Sequence, residues 1–150
     1  MRNSQEYSVA IHAMLLLNNP AGERVTSGDI AASAGYDQSN VRKIFGKLRA
    51  AGLIVTKSGR GRTCLARPAG EITLWDIYVA IEDVCVNKLF TFHHPKEDAY
   101  QVASHIEALL TPHYQRTIDA MERELSAVTV ASLGEELSAL ARRESSGAPA

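Results

Sequence analysis

Cysteine is scarce in this sequence, in which Cys64 and Cys85 are the only two thiols among 150 residues. Two cysteines cannot form the network of disulfides that holds small secreted domains together. A core without such bonds is possible, because 45% of the residues are hydrophobic and the chain is long enough to bury many of them. The N-terminus also lacks the basic, apolar and small-residue order of a signal peptide. We therefore expect a cytoplasmic protein.

Long hydrophobic runs are missing as well. The longest extends from Val9 to Leu17 and contains His12, so it falls far short of the roughly 20 apolar residues that a membrane-spanning helix needs. The sequence also contains no phosphate-binding loop, no dinucleotide-binding fingerprint and no recognisable Ser/His/Asp arrangement. We expect neither a membrane partner nor an enzyme.

The whole chain has almost no surplus of either charge, but its two halves carry surpluses of opposite sign. The net charge is −1. Residues 1–70 carry ten Lys and Arg against four Asp and Glu, a net of +6, whereas residues 71–150 carry six against thirteen, a net of −7. This asymmetry favours a polyanionic partner for the first half. Chance clustering of solvated charges is the alternative explanation.

Residues 26–51 have the pattern of a helix-turn-helix. Thr26, with Asp29 three residues later, resembles the capping box that starts a helix, and Gly35 can take the left-handed conformation that ends one. Asp37 can cap a second helix, in which apolar residues spaced i, i+3, i+4 and i+7 begin at Val41. The other face of this helix is polar and basic. A short helix, a glycine turn and a longer basic helix together indicate the motif.

The next segment predicts a β-hairpin with positive charge at its tip. Residues that favour strands lie at 53–57 and 62–67, on either side of the turn sequence Ser-Gly-Arg-Gly. A hairpin that directly follows a helix-turn-helix is the wing of a winged helix. Its cationic side chains can reach phosphates or the minor groove of DNA; they are Lys57, Arg60, Arg62 and Arg67.

The acidic half is predicted to be mostly helical. Thr73 is placed to cap a helix, and Thr129 a last, short one. From about Gln101, apolar residues recur every three or four positions for more than six turns, with Pro112 expected to kink the helix or to mark a junction. A helix of this length cannot lie wholly on a seventy-residue domain. We therefore expect its row of apolar residues to pack on a second copy of the chain. Packing on its own domain is the alternative.

These elements predict a mainly α-helical fold with a small β-hairpin. We expect a winged helix-turn-helix DNA-binding domain at 1–83 and a loop at 84–100. A dimerisation helix and a terminal short helix should follow at 101–143, and a disordered tail at 144–150. The dimerisation stripe would comprise Ile106, Leu109, Leu110, Tyr114, Ile118, Met121 and Leu125.

The ordered set of segments resembles the Rrf2 family of bacterial winged-helix transcriptional regulators. The resemblance lies in YSVAIHAMLLL, TSGDIAASAG and VRKIFGKLRAAGLI, in the glycine wing and in EITLWDIYVAIE. The stretch LFTFHHP, followed by a long helix containing AMEREL, is similar to the YwnA-like branch of the family. Together these segments extend over about residues 3–137.

The resemblance implies a homodimer that binds a pseudo-palindromic operator in double-stranded DNA, usually to repress transcription. Recognition helices would enter successive major grooves, wings would touch the flanking minor grooves, and backbone N–H groups at the start of the preceding helix would hold a phosphate. The DNA-binding residues would be Thr26, Ser27, Gln38, Ser39, Asn40, Arg42, Lys43, Lys47, Lys57, Arg60 and Arg62. The alternative is a protein-interaction adaptor built on the same scaffold.

The signal that such a regulator would sense is not readable from the sequence. Members of the family that bind an iron–sulfur cluster carry three cysteines before the long helix, whereas residues 86–105 here contain none. Because a cluster needs thiolate ligands, we expect no cluster, no other cofactor and no bound metal. The resemblance implies that residues 84–100 form a sensor loop. A small-molecule or redox signal would act near this loop, where the candidate sensor residues are Cys85, Trp75, His93 and His94.

Overall fold

The computed structural model describes residues 5–57, 61–96 and 100–147. Helices α1 (Gln5–Leu17), α2 (Ser27–Ala34) and α3 (Gln38–Ala50) precede a hairpin of strands β1 (Ile54–Lys57) and β2 (Arg62–Leu65). A single 3-10 turn, Ala69–Glu71, leads to α4 (Leu74–Ile81), α5 (Val86–Leu89), α6 (Gln101–Ser126) and α7 (Val130–Ser145). The prediction of a mainly helical fold with one small hairpin is confirmed.

The hydrophobic core lies among α1, α2, α3, α4 and the base of the hairpin. Each element contributes fully buried side chains, among them Met14, Ile30, Ile44, Leu53 and Ile77. The apolar spacing predicted for α3 is confirmed, because the buried residues of this helix are Val41, Ile44, Phe45 and Leu48. Burying a side chain of this size stabilises the fold by about 1.5–3 kcal/mol relative to leaving it exposed. The core therefore fixes which face of α3 remains in solvent.

The turn between α2 and α3 is short and well determined. Gly35 has φ 61°, and its N–H donates to the Ala31 carbonyl at the end of α2. Tyr36 N–H donates to the same carbonyl at 3.0 Å. Two residues after this glycine, Asp37 caps α3 by accepting a hydrogen bond from Asn40 N–H. The turn sets α3 at an angle to α2, as the helix-turn-helix motif requires.

The hairpin is antiparallel, with Ile54 opposite Leu65 and Lys57 opposite Arg62. Ile54 is 2% exposed, and Leu65 packs against the core. These contacts fix the base of the wing to the helices. Residues 58–60 of the expected tip, including Arg60, lie outside the described residues.

Helix α6 is continuous through Pro112, so the alternative that this proline marks a junction is wrong. After α6, Val128 C=O accepts from Leu74 N–H and Val130 N–H donates to Ile72 C=O, both at 2.9 Å. This pair of hydrogen bonds joins the α6–α7 turn to the strand-like segment before α4. Helix α7 then packs on α1 and on the 3-10 turn.

Two details of the acidic half differ from the sequence prediction. The expected loop at 84–100 contains the four-residue helix α5, in a region where apolar periodicity is too short to detect. The terminal helix is 16 residues long and ends at Ser145, so residues 144 and 145 are helical rather than part of a disordered tail. Arg142 and Arg143 in its last turn suit the negative end of the helix dipole.

No helix in the described ranges is long and apolar enough to span a membrane.

Candidate nucleic-acid interface

The start of α2 is organised by a reciprocal pair of hydrogen bonds. Thr26 Oγ1 accepts from Asp29 N–H at 3.1 Å, and Asp29 Oδ2 accepts from Thr26 N–H at 2.8 Å. The threonine hydroxyl also donates to Asp29 Oδ2 at 2.7 Å, and these bonds lower the pKa of the Asp29 carboxyl. The predicted capping box is therefore present. It leaves the N–H groups of Ser27 and Gly28 in the first turn of α2, where anions are favoured.

The start of α3 is capped in a similar way. Asp37 Oδ2 accepts from Asn40 N–H at 3.1 Å and from the Ser39 hydroxyl. Hydrogen bonds from Ser39 and Asn40 lower the pKa of the Asp37 carboxyl. Gln38 Nε2 lies 3.4 Å from Ser27 Oγ, which links the first residues of the two helices. The polar side chains predicted to face DNA thus surround one capped helix start.

Three arginines line a cavity between α2, α3 and the wing. The cavity has a volume of about 300 Å³. Its arginines come from the loop before α2 and from two positions of α3, and Thr26, Ser27 and Thr63 add hydroxyl groups. The full lining is Arg24, Val25, Thr26, Ser27, Arg42, Phe45, Arg49, Gly61 and Thr63. Guanidinium, hydroxyl and backbone N–H groups at one concave surface are the groups that bind phosphate oxygens.

Two arginines also connect the wing to the helices. Arg49 donates to Thr56 Oγ1 at 3.1 Å, from α3 to β1. Arg62 donates to the carbonyl oxygen of Gly22, from β2 to the loop after α1. Both guanidinium groups have further N–H donors. They set the position of the wing and still present charge at the same side of the molecule.

The predicted DNA-binding residues do not all lie together. Thr26, Ser27 and Arg42 line the cavity. Gln38, Ser39 and Lys43 are exposed and Asn40 is half-buried, all on the first turns of α3, whereas Lys57 and Arg62 are exposed on the wing. Lys47 faces the other way: its Nζ lies 2.6 Å from Glu6 Oε2 and 3.4 Å from the Ile81 carbonyl. A phosphate contact from Lys47 would have to break this ion pair.

Arg24 and Arg49 are the two arginines of the cavity that the predicted set of DNA-binding residues lacked. Arg49 lies seven residues after Arg42, which is two helical turns, so both project from one face of α3. That spacing was sufficient to find Arg49. Arg24 lies two residues before the Thr26 cap, and only the fold shows that this places it beside α3.

The predicted dimerisation stripe on α6 is divided in two. Tyr114 stacks on Phe90 with ring centroids 4.1 Å apart, and Phe92 lies 5.6 Å from the same ring. Ile118 is 6% exposed, and Met121 and Leu125 are half-buried. Nearer the N-terminus of α6, Val102 and Leu109 are 69% and 61% exposed, and Ile106 and Leu110 are half-buried. Intramolecular packing therefore buries Ile118 in the second half of the stripe. It leaves Leu109, with Val102 two turns before it, exposed in the first half, which we call the open half.

The candidate sensor residues are dispersed. Trp75 stacks on Tyr78 at 5.6 Å, Cys85 is exposed at the start of α5, and His93 and His94 are exposed. Within the described ranges, no three His, Cys, Asp or Glu side chains are grouped so as to hold a metal ion. None of these four residues lines the arginine-lined cavity between α2, α3 and the wing.

A capped helix pair with a three-residue turn, a basic exposed face on its second helix and a hairpin beside it define a winged helix-turn-helix protein. The model of the Rrf2 family, described as an iron-dependent transcriptional regulator, matches residues 3–136. The chain belongs to the Rrf2 family. It is a DNA-binding transcriptional regulator and not an enzyme, which confirms the prediction from sequence.

Individual relatives agree with this assignment. "Putative HTH-type transcriptional regulator YwnA" of Bacillus subtilis strain 168 is 26% identical over 120 residues, which are 80% of this chain and 87% of that protein. IscR of T. potens superposes with a TM-score of 0.66 at 20% identity, over 91% of this chain and 88% of that one. CymR (YrzC), the global cysteine regulator of B. subtilis, superposes with a TM-score of 0.62 at 20% identity, over 90% of this chain and 97% of that one. The two structures support the fold.

Proposed function

We propose that two copies of this chain bind one pseudo-palindromic operator and repress transcription from it. Helix α3 of each subunit would enter the major groove, with Gln38, Ser39, Asn40 and Lys43 at the base edges. The wings would lie along the flanking phosphates and minor grooves. A bound dimer would occupy promoter DNA that RNA polymerase needs.

The observation that carries this proposal is the arginine-lined cavity. Arg24, Arg42 and Arg49 converge beside the first turn of α2, although the whole chain has a net charge of −1. None of the three belongs to the ion pairs formed among the described residues. Asp29 interacts electrostatically with Arg24, but guanidinium groups that form no ion pair at the edge of a recognition helix match a DNA phosphate. An acidic protein could also bind such groups, but their position beside the recognition helix and the wing supports DNA as the partner.

The open half of the α6 stripe supports the second copy. Val102 and Leu109 are highly exposed large apolar residues on one helix, and α6 is about 39 Å long at 1.5 Å per residue over its 26 residues. Two such helices can cover each other's open halves. The pairing would then hold two α3 helices about 34 Å apart, one turn of B-DNA.

We also propose that the chain holds no iron–sulfur cluster, although the family model is described as iron-dependent. The chain has only two cysteines. Cys64 lies in β2, where its thiol donates to the Val55 carbonyl, and Cys85 lies before α5. A cluster typically needs four protein ligands that are mostly thiolates. Anaerobic reconstitution with iron and sulfide should leave no visible absorbance band and no stoichiometric iron; a stable brown protein would contradict the proposal.

The decisive experiment selects binding sites from genomic fragments and then measures affinity against salt. We expect enrichment of one palindromic sequence. If each subunit engages about four phosphates, log K should fall against log salt with a slope of about −7. Enrichment of no sequence would contradict the proposal and favour the adaptor alternative.

Single variants locate the interface. Arg42→Ala and Arg49→Ala should each weaken binding to all sequences alike and reduce the salt slope by about 1. Asn40→Ala should instead change the preferred bases. Arg143→Ala, at the far end of α7, is the matched control and should change neither property. Equal effects of all three arginine variants on DNA affinity would show that the cavity is not part of the interface.

A further inference from the structure

Two neighbouring cavities form a groove between α1 and α7 and share no lining residue with the arginine-lined cavity. One has a volume of about 440 Å³ and includes Ile11 and His12; the other has about 590 Å³ and includes Asn18 and Arg142. Leu15, Leu16 and Leu137 line both. Each volume falls within the roughly 300–1,000 Å³ of small-molecule sites. We call these residues the α1/α7 groove.

The groove has an apolar part and a polar part. Ile11, Leu15, Leu16 and Leu137 supply aliphatic surface, and Leu137 is 53% exposed. Such exposure of a leucine above a concave surface leaves apolar area that a ligand could cover, at about 25 cal/mol for each Å² removed from water.

The polar part contains groups without partners in the described part of the chain. The Arg142 guanidinium forms neither a hydrogen bond nor an ion pair there, and the Asn18 side-chain amide forms no hydrogen bond there. Glu135 lines the same cavity, but it lies seven residues before Arg142 on α7, about 10 Å along the helix axis. A cation beside apolar walls selects a ligand with a carboxylate and an apolar chain.

Helix α7 lies close to the end of α1 at one end of the groove. Gly134 lies within α7, where glycine costs about 1 kcal/mol relative to alanine. A Cβ at this position would lie 3.4 Å from Asn18 Nδ2. That distance is an ordinary van der Waals contact, so crowding does not require glycine here, but it shows that α7 lies close to the end of α1, with Asn18 at the cavity wall.

The groove is connected to both functional parts of the molecule. His12 Nε2 lies 2.8 Å from Ser33 Oγ on α2, so one wall contacts the helix-turn-helix. The other wall, α7, follows α6 directly and is held by the Val130–Ile72 hydrogen bond. A ligand between α1 and α7 would therefore bias how the DNA-binding helices are held relative to α6.

From these observations we infer that the α1/α7 groove binds a small apolar carboxylic acid as an effector, with the carboxylate on Arg142 and the chain across Leu137. Binding in the groove does not depend on the proposed function, whereas its effect on DNA affinity rests on it.

Calorimetric titration with decanoate, below its micelle-forming concentration, tests the site. We expect one molecule per subunit, and affinity reduced at least about tenfold by Arg142→Gln, the loss expected for one charge-assisted hydrogen bond. Leu137→Asp should abolish binding, and decylamine should not bind the parent protein.

Two substitutions on the same helix serve as matched controls. Arg143→Gln removes the adjacent arginine, and Leu140→Asp changes a leucine that is 57% exposed; neither residue lines the groove. Both should bind decanoate like the parent. Equal binding by all four variants, or no binding by the parent up to about 1 mM, would overturn the proposal.

The effect on DNA separates this proposal from the proposed function. Decanoate should change operator affinity at least about fivefold in the parent and in Arg143→Gln, but not in Arg142→Gln. A parent protein that binds decanoate but no DNA would refute the proposed function alone. A protein that binds its operator but no decanoate would refute the groove alone, and decanoate binding without any change in operator affinity would refute its role as an effector site.

Discussion

At the scale of single residues, Tyr7 shows how the core controls a titratable group. Its hydroxyl donates to the Leu74 carbonyl at 2.9 Å, and its ring meets Tyr78 edge-on at 5.1 Å. Burial, with a smaller contribution from Tyr78, raises the pKa of Tyr7 to about 12. An unfolded chain would ionise this phenol near pH 10. Stability from the neutral phenol is therefore complete below pH 10 and is lost as pH rises from about 10 to 12.

Replacing Tyr7 with phenylalanine should separate the hydrogen bond from the titration. At pH 7 we expect Tyr7→Phe to lower the free energy of unfolding by about 1 kcal/mol, because the Leu74 carbonyl loses its donor. Between pH 10 and 12 the variant should lose less stability than the parent. Urea denaturation across this pH series measures both effects. If the free energy of unfolding fell equally with pH in the two proteins, Tyr7 would not titrate as described. Some loss of stability with pH should remain in Tyr7→Phe, because burial also raises the pKa of Tyr78.

At the scale of the elements, the α2–α3 turn depends on one backbone conformation. Gly35 has φ 61°, and nothing lies within 4 Å of where its Cβ would be. Gly46, inside α3, has equally open space but no positive φ. The two glycines thus differ in backbone conformation and not in crowding.

Alanine at these two positions should have opposite effects on stability. Gly35→Ala should cost about 1–2 kcal/mol, because a side chain is strained in the left-handed conformation. Gly46→Ala should stabilise the protein by up to about 1 kcal/mol, because alanine favours the helix. Chemical denaturation of both variants provides the measurement. A neutral Gly35→Ala would mean that the turn can adopt another conformation.

Local sequence predicted most of these elements because their start and stop signals are short-range. Thr26, Asp37, Thr73 and Thr129 all accept the capping hydrogen bonds expected of them. Helix α5 was missed because four residues are too few to show a period. Pro112 could be placed but not interpreted, because whether a proline divides a helix depends on the packing around it.

At the scale of the whole molecule, the open half of α6 is where the proposed dimer can be tested. Leu109→Glu places a charge on this surface and should raise the dimer dissociation constant by at least about thirtyfold, as at an interface hot spot. Operator affinity should fall with it, because two half-sites would no longer be bound together. Sedimentation equilibrium gives the first value and a gel-shift titration the second.

Leu140→Glu controls for the general effect of an exposed charge. Leu140 is 57% exposed and Leu109 is 61% exposed, so the two substitutions should cost similar folding free energy. Only the α6 variant should dissociate. A Leu109→Glu protein that remains dimeric would place the dimer interface elsewhere.

By itself, the sequence determined the class of fold and the side of the molecule that carries positive charge. Helix periodicity, caps and the glycine turn depend on residues within a few positions of each other, and the chain states these relationships directly. The tertiary structure decided which cations act together. It directs Lys47 to Glu6, brings Arg24 beside Arg42 and Arg49, and divides the α6 stripe into a covered and an open half. These outcomes depend on contacts between residues far apart in sequence, and such contacts exist only after the core has fixed the angles between the helices.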